Sequence, residues 1–212
     1  MAIYGFYHIC TINHWQQVVN EQIKKIISSG LYNKSDKIFI AVIGPHCQYK
    51  LNYDKFQVIF SSPDLKHFER PVLEYMRRFS ETANPNDKFY YLHSKGVSHK
   101  YHASIDDWNH FMEYFLIERY EHCLLALEEH DACGVNWGNN PKHFSGNFWW
   151  AKASYIRKLP EKIGKNYYDP EMWIGLGNPK SKCLHQSGIN HYYYLYPQYL
   201  YASNNLSISK LF

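Results

Sequence analysis

The sequence predicts an α/β protein with one domain, residues 1–212, and a mixed but mainly parallel sheet of about six strands flanked by helices. Short apolar runs of strand length alternate along the chain with segments that carry apolar residues at helical spacing. No repeat, low-complexity segment or linker divides the chain. With 212 residues, of which 45% are hydrophobic and 20% charged, the chain is long enough to bury one sizeable core.

The predicted strands are short apolar or aromatic segments. The segment KIFIAVIG, residues 37–44, is almost continuously apolar, which is typical of a strand buried on both faces. The other predicted strands are residues 3–9, 56–60, 88–92, 133–137, 148–151 and 191–196.

The predicted helices follow the spacing of their apolar residues. In residues 14–29 the apolar positions recur every three or four residues from Trp15 to Ile26, and the helix is expected to stop at Gly30. A second helix is expected at 71–79. The longest begins at Ser104 or Asp106, either of which can cap it, and extends to 127. Shorter helices are expected at 153–159 and around 171.

Composition excludes several classes of protein. The net charge of +4, without a dense run of Lys or Arg, argues against nucleic acid as a partner. The five cysteines are odd in number and lack CxxC spacing, which argues against a disulfide framework and for a reducing compartment. No apolar run is long enough to span a membrane, and the first residues do not resemble a signal peptide. We therefore expect a cytoplasmic location.

Three common catalytic motifs are missing from the sequence. It contains no GxGxxG and no GxxxxGK[ST], which disfavours a dinucleotide enzyme or a P-loop NTPase. It also lacks the GxSxG elbow of α/β hydrolases. Hydrolases and nucleic-acid-binding domains are accordingly the least favoured functions.

Polar side chains follow the first and fourth predicted strands, where ligands of open α/β sheets bind. Tyr7 and His8 end the first strand, and Ser94 and Lys95 follow the fourth. The ammonium and hydroxyl groups can hold a diphosphate, and Gly96 would let the backbone approach it closely. The alternative is a strand exit with solvated polar residues.

An unusual aromatic segment, FSGNFWW at 144–150, combines a tight turn with two tryptophans. Strand alternation points Trp149 and Trp150 to opposite faces, so one can enter the core while the other lines a surface that binds sugar beside Asn147. The alternative is that both tryptophans belong to the core. Glu171 lies near the start of a short helix, which keeps a carboxylate ionised and suits it as a base. Ordinary helix-start electrostatics explain Glu171 equally well.

The motifs taken together resemble those of small GT-A-type glycosyltransferases, a group with viral and bacterial members that build capsid glycans and polysaccharides. The resemblance covers nearly the whole chain in order. It rests on FYHI (6–9), SSGLY (28–32), YYLHSKG (90–96), DDW (106–108), GVNW (134–137), HFSGNFWWAKASYIRKLP (143–160) and EMWIG (171–175).

This resemblance implies a single GT-A-like domain with a UDP-sugar donor held across the first half of the sheet. Such enzymes usually bind Mn²⁺ or Mg²⁺ through an Asp-x-Asp motif after the fourth strand. Here His93-Ser94-Lys95 occupies that place, which makes His93 the one candidate metal ligand and puts dependence on a divalent cation in doubt. Lys95, a metal or His191 would stabilise the leaving UDP.

The resemblance also implies a glycan or glycoprotein as the acceptor, bound along Asn147, Trp149 and Trp150. Glu171 matches the catalytic base of inverting members, and inversion is expected because Glu171 is the single candidate base. A viral member would act in the host cytoplasm. The alternative function is a non-catalytic carbohydrate-binding module, which the 18% aromatic content favours but the α/β pattern does not.

Overall fold

The computed structural model describes residues 1–202, and the central element is a mixed sheet. Within these residues the sheet has seven strands in the order β3-β2-β1-β4-β8-β5-β9. The strands are β1 (Ile3–Cys10), β2 (Lys37–Ile43), β3 (Phe56–Ser62), β4 (Lys88–His93), β5 (Ala132–Gly134), β8 (Trp149–Lys152) and β9 (Ser181–Cys183). A separate hairpin consists of β6 (Trp137–Asn139) and β7 (Lys142–Phe144).

The strand directions confirm the predicted mixed, mainly parallel sheet. β1 pairs in parallel with both β2 and β4, and β2 pairs in parallel with β3. β8 runs antiparallel to its neighbours β4 and β5, and β9 runs parallel to β5. The carboxyl ends of β1, β2 and β4 and the amino end of β8 therefore meet at one edge of the sheet.

Helices cover both faces of this sheet, and the sheet separates the core into two layers. They are α1 (Trp15–Ser28), α2 (Leu31–Lys34), α3 (Arg70–Ser80), α4 (Ala103–Glu113), α5 (Tyr120–Glu129), α6 (Ala153–Ile156) and α7 (Asp169–Met172). One core layer packs strand residues such as Tyr7 and Trp150 against α1, α4 and α5. The other packs Phe6 and Trp149 against α3 and α6. Alternate residues along each strand supply the two layers.

Local sequence explains which side of the first helix is buried and where the helix ends. Trp15, Val18 and Ile26 lie on the buried side of α1, as their spacing predicts. Gly30, which follows the capping residue Ser29, adopts φ +83°, a backbone conformation that glycine tolerates without strain. The predicted stop at Gly30 is confirmed.

The predicted long helix from residue 104 or 106 to 127 is interrupted. α4 ends at Glu113, a π-helical turn spans Tyr114–Glu118, and α5 begins at Tyr120. Neither predicted capping residue caps α4, because His102 occupies that position. The Ser104 hydroxyl instead donates to the Tyr192 carbonyl at 3.1 Å.

The predicted strand at 191–196 is wrong, since the sheet ends at β9 instead. Tyr192, Tyr193 and Tyr194 are 53%, 76% and 63% exposed. A strand packed into the sheet would bury alternate side chains, and this tyrosine run does not. The predicted strand at 133–137 is also divided, because Asn136 has φ +50° and the chain turns there into β6.

No helix within residues 1–202 is long and apolar enough to cross a membrane. This agrees with the expectation drawn from the hydropathy of the sequence.

Candidate functional site

A cavity of about 310 Å³ lies at the sheet edge where β1, β2 and β4 end. Its walls come from these strand ends, from the turn before β8, from the segment leading to α7 and from the start of α3. Of the predicted site residues, those that line it are His8, His93, Ser94, Lys95, Asn147 and Glu171. The cavity therefore brings together residues up to 163 positions apart in the chain (171 minus 8). Its position follows the rule for ligand sites in open α/β sheets.

Lys95 supplies the positive charge of the cavity. Its ammonium lies 4.0 Å from the ring centroid of Trp108 and 5.9 Å from that of Tyr192, so two aromatic faces hold it in place. The Asn109 amide donates to the Lys95 carbonyl at 3.1 Å and fixes the backbone. Burial lowers the pKa of Lys95, while the nearby carboxylates of Glu171 and Glu69 oppose that shift. An anion entering the cavity would meet a preorganised cation.

Ser94 has a structural role beside Lys95. It is 3% exposed, and its hydroxyl oxygen accepts the Cys10 backbone N–H at 2.8 Å. This bond joins the end of β1 to the loop after β4. The bond uses a lone pair of the hydroxyl oxygen and not its hydrogen, so the contact of Ser94 with a diphosphate stays a prediction.

Gly146 anchors the catalytic candidate Glu171. The Gly146 N–H donates to Glu171 Oε1 at 2.9 Å, and its carbonyl accepts from His93 Nε2 at 3.0 Å. Gly146 has φ +92°, and a Cβ there would overlap Met112 Sδ and lie 3.1 Å from the Trp108 ring. The glycine is thus required both by the turn and by the space available. The prediction of a tight turn before the tryptophans is confirmed.

Glu69, which the sequence did not single out as functional, forms the second carboxylate of the cavity. It directly precedes α3 and reaches into the same space as Glu171. Its Oε2 accepts from Tyr91 Oη and from Asn147 Nδ2, both at 2.5 Å. Asn147, at φ +58°, is in turn fixed by Trp149, whose Nε1 donates to Asn147 Oδ1 at 2.9 Å. The only signal in the sequence was the position of Glu69 before Pro71 at a helix start.

Two histidines stand side by side on the same wall. His8 and His93 are paired positions of β1 and β4. Burial lowers the pKa of His8 to about 4 and the pKa of His93 to about 3. Both imidazoles are therefore neutral near pH 7.

The structure corrects the prediction that Trp149 or Trp150 lines a sugar-binding surface. Their side chains do point to opposite faces, but each is 0% exposed, because helices cover both faces of the sheet. Trp150 Nε1 donates to the Leu116 carbonyl at 2.9 Å, so both indole N–H groups are satisfied inside the protein. The alternative of two core tryptophans is correct. Asn147 reaches the cavity while both tryptophans remain behind it.

Two predicted donor contacts are also wrong. Tyr7 is 0% exposed on the α1 face, where its hydroxyl donates to Gln22 Oε1 at 2.5 Å. His191 is 3% exposed and stacks between the rings of Trp108 and Phe111, each centroid 5.2 Å away. His191 supports the ring on which Lys95 rests but does not line the cavity.

Three half-exposed tyrosines form a rim around the cavity. Tyr167 and Tyr168 lie in the segment before α7, and Tyr192 lies in the loop after β9. They are 57%, 62% and 53% exposed. Arg70 holds the first segment in place by donating to the carbonyls of Gly164 and Asn166, both at 2.7 Å. The high tyrosine content was the only signal for this rim in the sequence.

The predicted metal ligand, His93, does not belong to a preformed metal cluster. Within residues 1–202, one group of three side chains has the geometry to share a metal ion: Glu21, Asp106 and His110. Their ligand atoms all lie within 4.8 Å of one another. These three residues do not line the cavity.

Comparison with known proteins identifies one family. A model described as a domain of unknown function, DUF8361, matches residues 6–175. That match spans β1 through α7 and the turn after it, which includes the cavity walls except for Tyr192. None of the curated proteins matches the sequence.

Proposed function

The chain belongs to the DUF8361 family, and we propose that it is a glycosyltransferase that moves a sugar from a UDP-sugar donor to a hydroxyl group of a glycan acceptor. The observation that carries this proposal is the presence of Lys95 and Glu171 in one cavity at the carboxyl edge of the sheet. Transfer from a nucleotide sugar needs a cation for the leaving diphosphate and a base for the incoming hydroxyl. The choice of uridine follows from the resemblance to GT-A-type glycosyltransferases.

Lys95 is assigned to the donor diphosphate. As the bond to the sugar breaks, negative charge develops on the leaving phosphate oxygen, and a fixed ammonium stabilises that charge. The Trp108 ring 4.0 Å from the ammonium restricts where Lys95 can reach, so little ordering remains to be done on binding. Tyr7 and His191 have no direct role in this proposal, because neither lines the cavity.

Glu171 is assigned as the catalytic base. The acceptor hydroxyl gives its proton to the Glu171 carboxylate while its oxygen bonds to the anomeric carbon. The bond from that carbon to the phosphate oxygen breaks, and its electron pair leaves with UDP. A single displacement of this kind inverts the anomeric configuration. The Gly146 N–H fixes one carboxylate oxygen at 2.9 Å and leaves the other for the acceptor.

The residues after β4 do not suit a divalent cation at the position where the related enzymes carry Asp-x-Asp. The Ser94 oxygen already accepts from the Cys10 N–H, and the next side chain is the Lys95 ammonium. His93 keeps only Nδ1 as a nitrogen ligand, because its Nε2 donates to the Gly146 carbonyl. A cation beside Lys95 would also be repelled by it. The proposed mechanism therefore assigns no step to a metal.

The rim tyrosines are assigned to the acceptor in place of the two buried tryptophans. Aromatic faces beside polar groups suit the C–H faces and hydroxyl edges of sugar rings. A glycan held against Tyr168 or Tyr192 would present a hydroxyl to Glu171. Because all five cysteines are free thiols, a cytoplasmic reaction is proposed, in the host cytoplasm if the protein is viral.

The substitution Glu171→Gln tests the role of the base. The glutamine carbonyl can still accept the Gly146 N–H, so the turn and the donor site keep their geometry, but the amide cannot take a proton. We expect unchanged UDP binding by calorimetry and a loss of transfer of about 10²- to 10⁴-fold. The exposed Glu161→Gln is the matched control and should transfer normally. Full turnover by Glu171→Gln would remove Glu171 as the base.

The tyrosine rim also favours a second function, a carbohydrate-binding module without catalysis. Such a module would bind glycans but no nucleotide, whereas the transferase binds UDP. Calorimetric titration with UDP and with oligosaccharides separates the two.

A further inference from the structure

One wall of the cavity carries two hydrogen-bond acceptors that lie close together. We call this pair, Glu69 Oε1 and His93 Nδ1, the lone-pair cluster. The two atoms are 3.9 Å apart. Lone pairs that face each other in a buried site destabilise the protein unless a ligand donates to them.

The tautomer of His93 is determined by its neighbour. The Gly146 carbonyl can only accept, so the His93 Nε2 that lies 3.0 Å from it must carry the hydrogen. Since burial lowers the pKa of His93 to about 3, the ring is neutral and its Nδ1 carries a bare lone pair. This nitrogen lies 3.9 Å from Glu69 Oε1, which is also an acceptor.

The orientation of Glu69 is fixed by an equally unambiguous chain of bonds. Trp149 Nε1 can only donate, so the atom of Asn147 that faces it is Oδ1. Asn147 Nδ2 then faces Glu69 Oε2, which accepts from it and from Tyr91 Oη. Oε2 is therefore occupied, and Oε1 is left for the cavity.

His8 lies beside the cluster along the sheet edge. It stands next to His93 in the pairing of β1 with β4 and is 5% exposed. Its Nδ1 has no hydrogen-bond partner among residues 1–202. The wall beside the cluster therefore contains a further buried polar atom that is unsatisfied within these residues.

We propose that the lone-pair cluster binds two adjacent hydroxyl groups of the transferred sugar, which makes Glu69 and His93 specificity-determining residues. This inference rests on the proposed glycosyltransferase function. One hydroxyl donates to Glu69 Oε1 and its neighbour to His93 Nδ1, so both unpaired acceptors are satisfied at once. A donor sugar that is deoxygenated or acylated at either position would leave one acceptor unpaired and bind more weakly.

A cation is the less favourable occupant of the same cluster. Lys95 already brings a positive charge into this cavity, close enough to shift the pKa of His93 downward. A divalent ion at the cluster would be attracted by the Glu69 carboxylate but repelled by that ammonium. Within residues 1–202 it would also find no third His, Cys, Asp or Glu ligand within 4.8 Å of both Glu69 Oε1 and His93 Nδ1, whereas hydroxyl groups need only those two acceptors.

The substitution Glu69→Gln tests the proposal, because the new amide should fill the lone-pair cluster from within the protein. Because Oε2 must still accept from Tyr91 and Asn147, the glutamine carbonyl takes that place and its amide nitrogen replaces Oε1. The amide then donates to His93 Nδ1 and closes the cluster internally. Glu74→Gln on α3 is the matched control, since Glu74 is half-buried but lies outside the cavity.

The measurement is calorimetric binding of UDP, UDP-glucose, UDP-galactose, UDP-xylose and UDP-N-acetylglucosamine, with Mn²⁺ alone as a separate titration. We expect the parent to bind its preferred UDP-sugar more tightly than UDP. In Glu69→Gln the affinity for that UDP-sugar should fall by about 10- to 100-fold, while the affinity for UDP and the thermal stability are retained.

Three results would overturn the inference. The first is that Glu69→Gln still binds the UDP-sugar more tightly than UDP. The second is that the parent binds no UDP-sugar more tightly than UDP. The third is that the parent binds Mn²⁺ alone and Glu69→Gln does not, which would make the cluster a cation site. In each of these cases UDP binding would leave the proposed function standing. Failure of every nucleotide to bind would remove both proposals.

Discussion

Neutralising Lys95 should weaken nucleotide binding without unfolding the protein. In Lys95→Met the side chain keeps its length and can still pack on Trp108, but the cavity loses its ammonium. A hydrogen bond to a charged group contributes about 1.5–3 kcal/mol, which corresponds to about 10- to 150-fold in the dissociation constant of UDP.

The effect of Lys95→Met on stability is the difference between two opposing contributions. The cation–π contact with Trp108, at 4.0 Å, is lost at a cost of about 0.5–2 kcal/mol. Against this, burial lowers the pKa of Lys95, so its charged form is less stable in the folded state than in the unfolded chain. That penalty is present at neutral pH, diminishes as the pH rises towards the ordinary lysine value, and is absent in the variant. We expect a small net change in the melting temperature.

The assay is calorimetric titration with UDP, paired with thermal unfolding followed by circular dichroism. Lys100→Met is the matched control, because it removes the same charge from the same loop. Lys100 is exposed and does not line the cavity. Lys95→Arg should retain part of the affinity. Equal weakening by Lys100→Met, or unchanged binding by Lys95→Met, would refute the assignment of Lys95 to the diphosphate.

Two further predictions concern stability. Gly146→Ala should lower the free energy of unfolding, measured with denaturant, by about 1–3 kcal/mol more than Gly30→Ala does. Both glycines have positive φ, but only Gly146 also lacks room for a Cβ. Equal losses in the two variants would contradict the packing argument. The second concerns His8 and His93, whose folded pKa values of about 4 and about 3 lie below the ordinary 6.5. Stability is therefore retained above pH 6.5 and lost as the pH falls, by on the order of 1.4 kcal/mol per pH unit for each histidine; His8→Asn should flatten this dependence, and an unchanged slope would count against a buried neutral His8.

Much of the fold was predictable because it depends on local patterns. The apolar run of β2 and the helical spacing of α1 each contain enough information to determine one element. The position of the cavity followed from the rule that ligands bind at strand ends, which selected His8, His93 and Lys95, three residues that line it.

The sequence was least informative where long-range packing decides the outcome. Alternation correctly separated Trp149 from Trp150, but it could not reveal that helices cover both faces of the sheet. The tyrosines after residue 191 have high strand propensity, yet Ser181–Cys183 occupies the place beside β5. Glu69 depends on Asn147, 78 positions away, and no local pattern connects two such residues.

The most direct test of the proposed function is calorimetric titration with UDP, GDP and CMP in the presence of EDTA and again with Mn²⁺. We predict that UDP binds under both conditions, because Lys95 supplies the charge that holds the diphosphate. Failure of all three nucleotides to bind under either condition would contradict the proposal that this cavity holds a nucleotide-sugar donor.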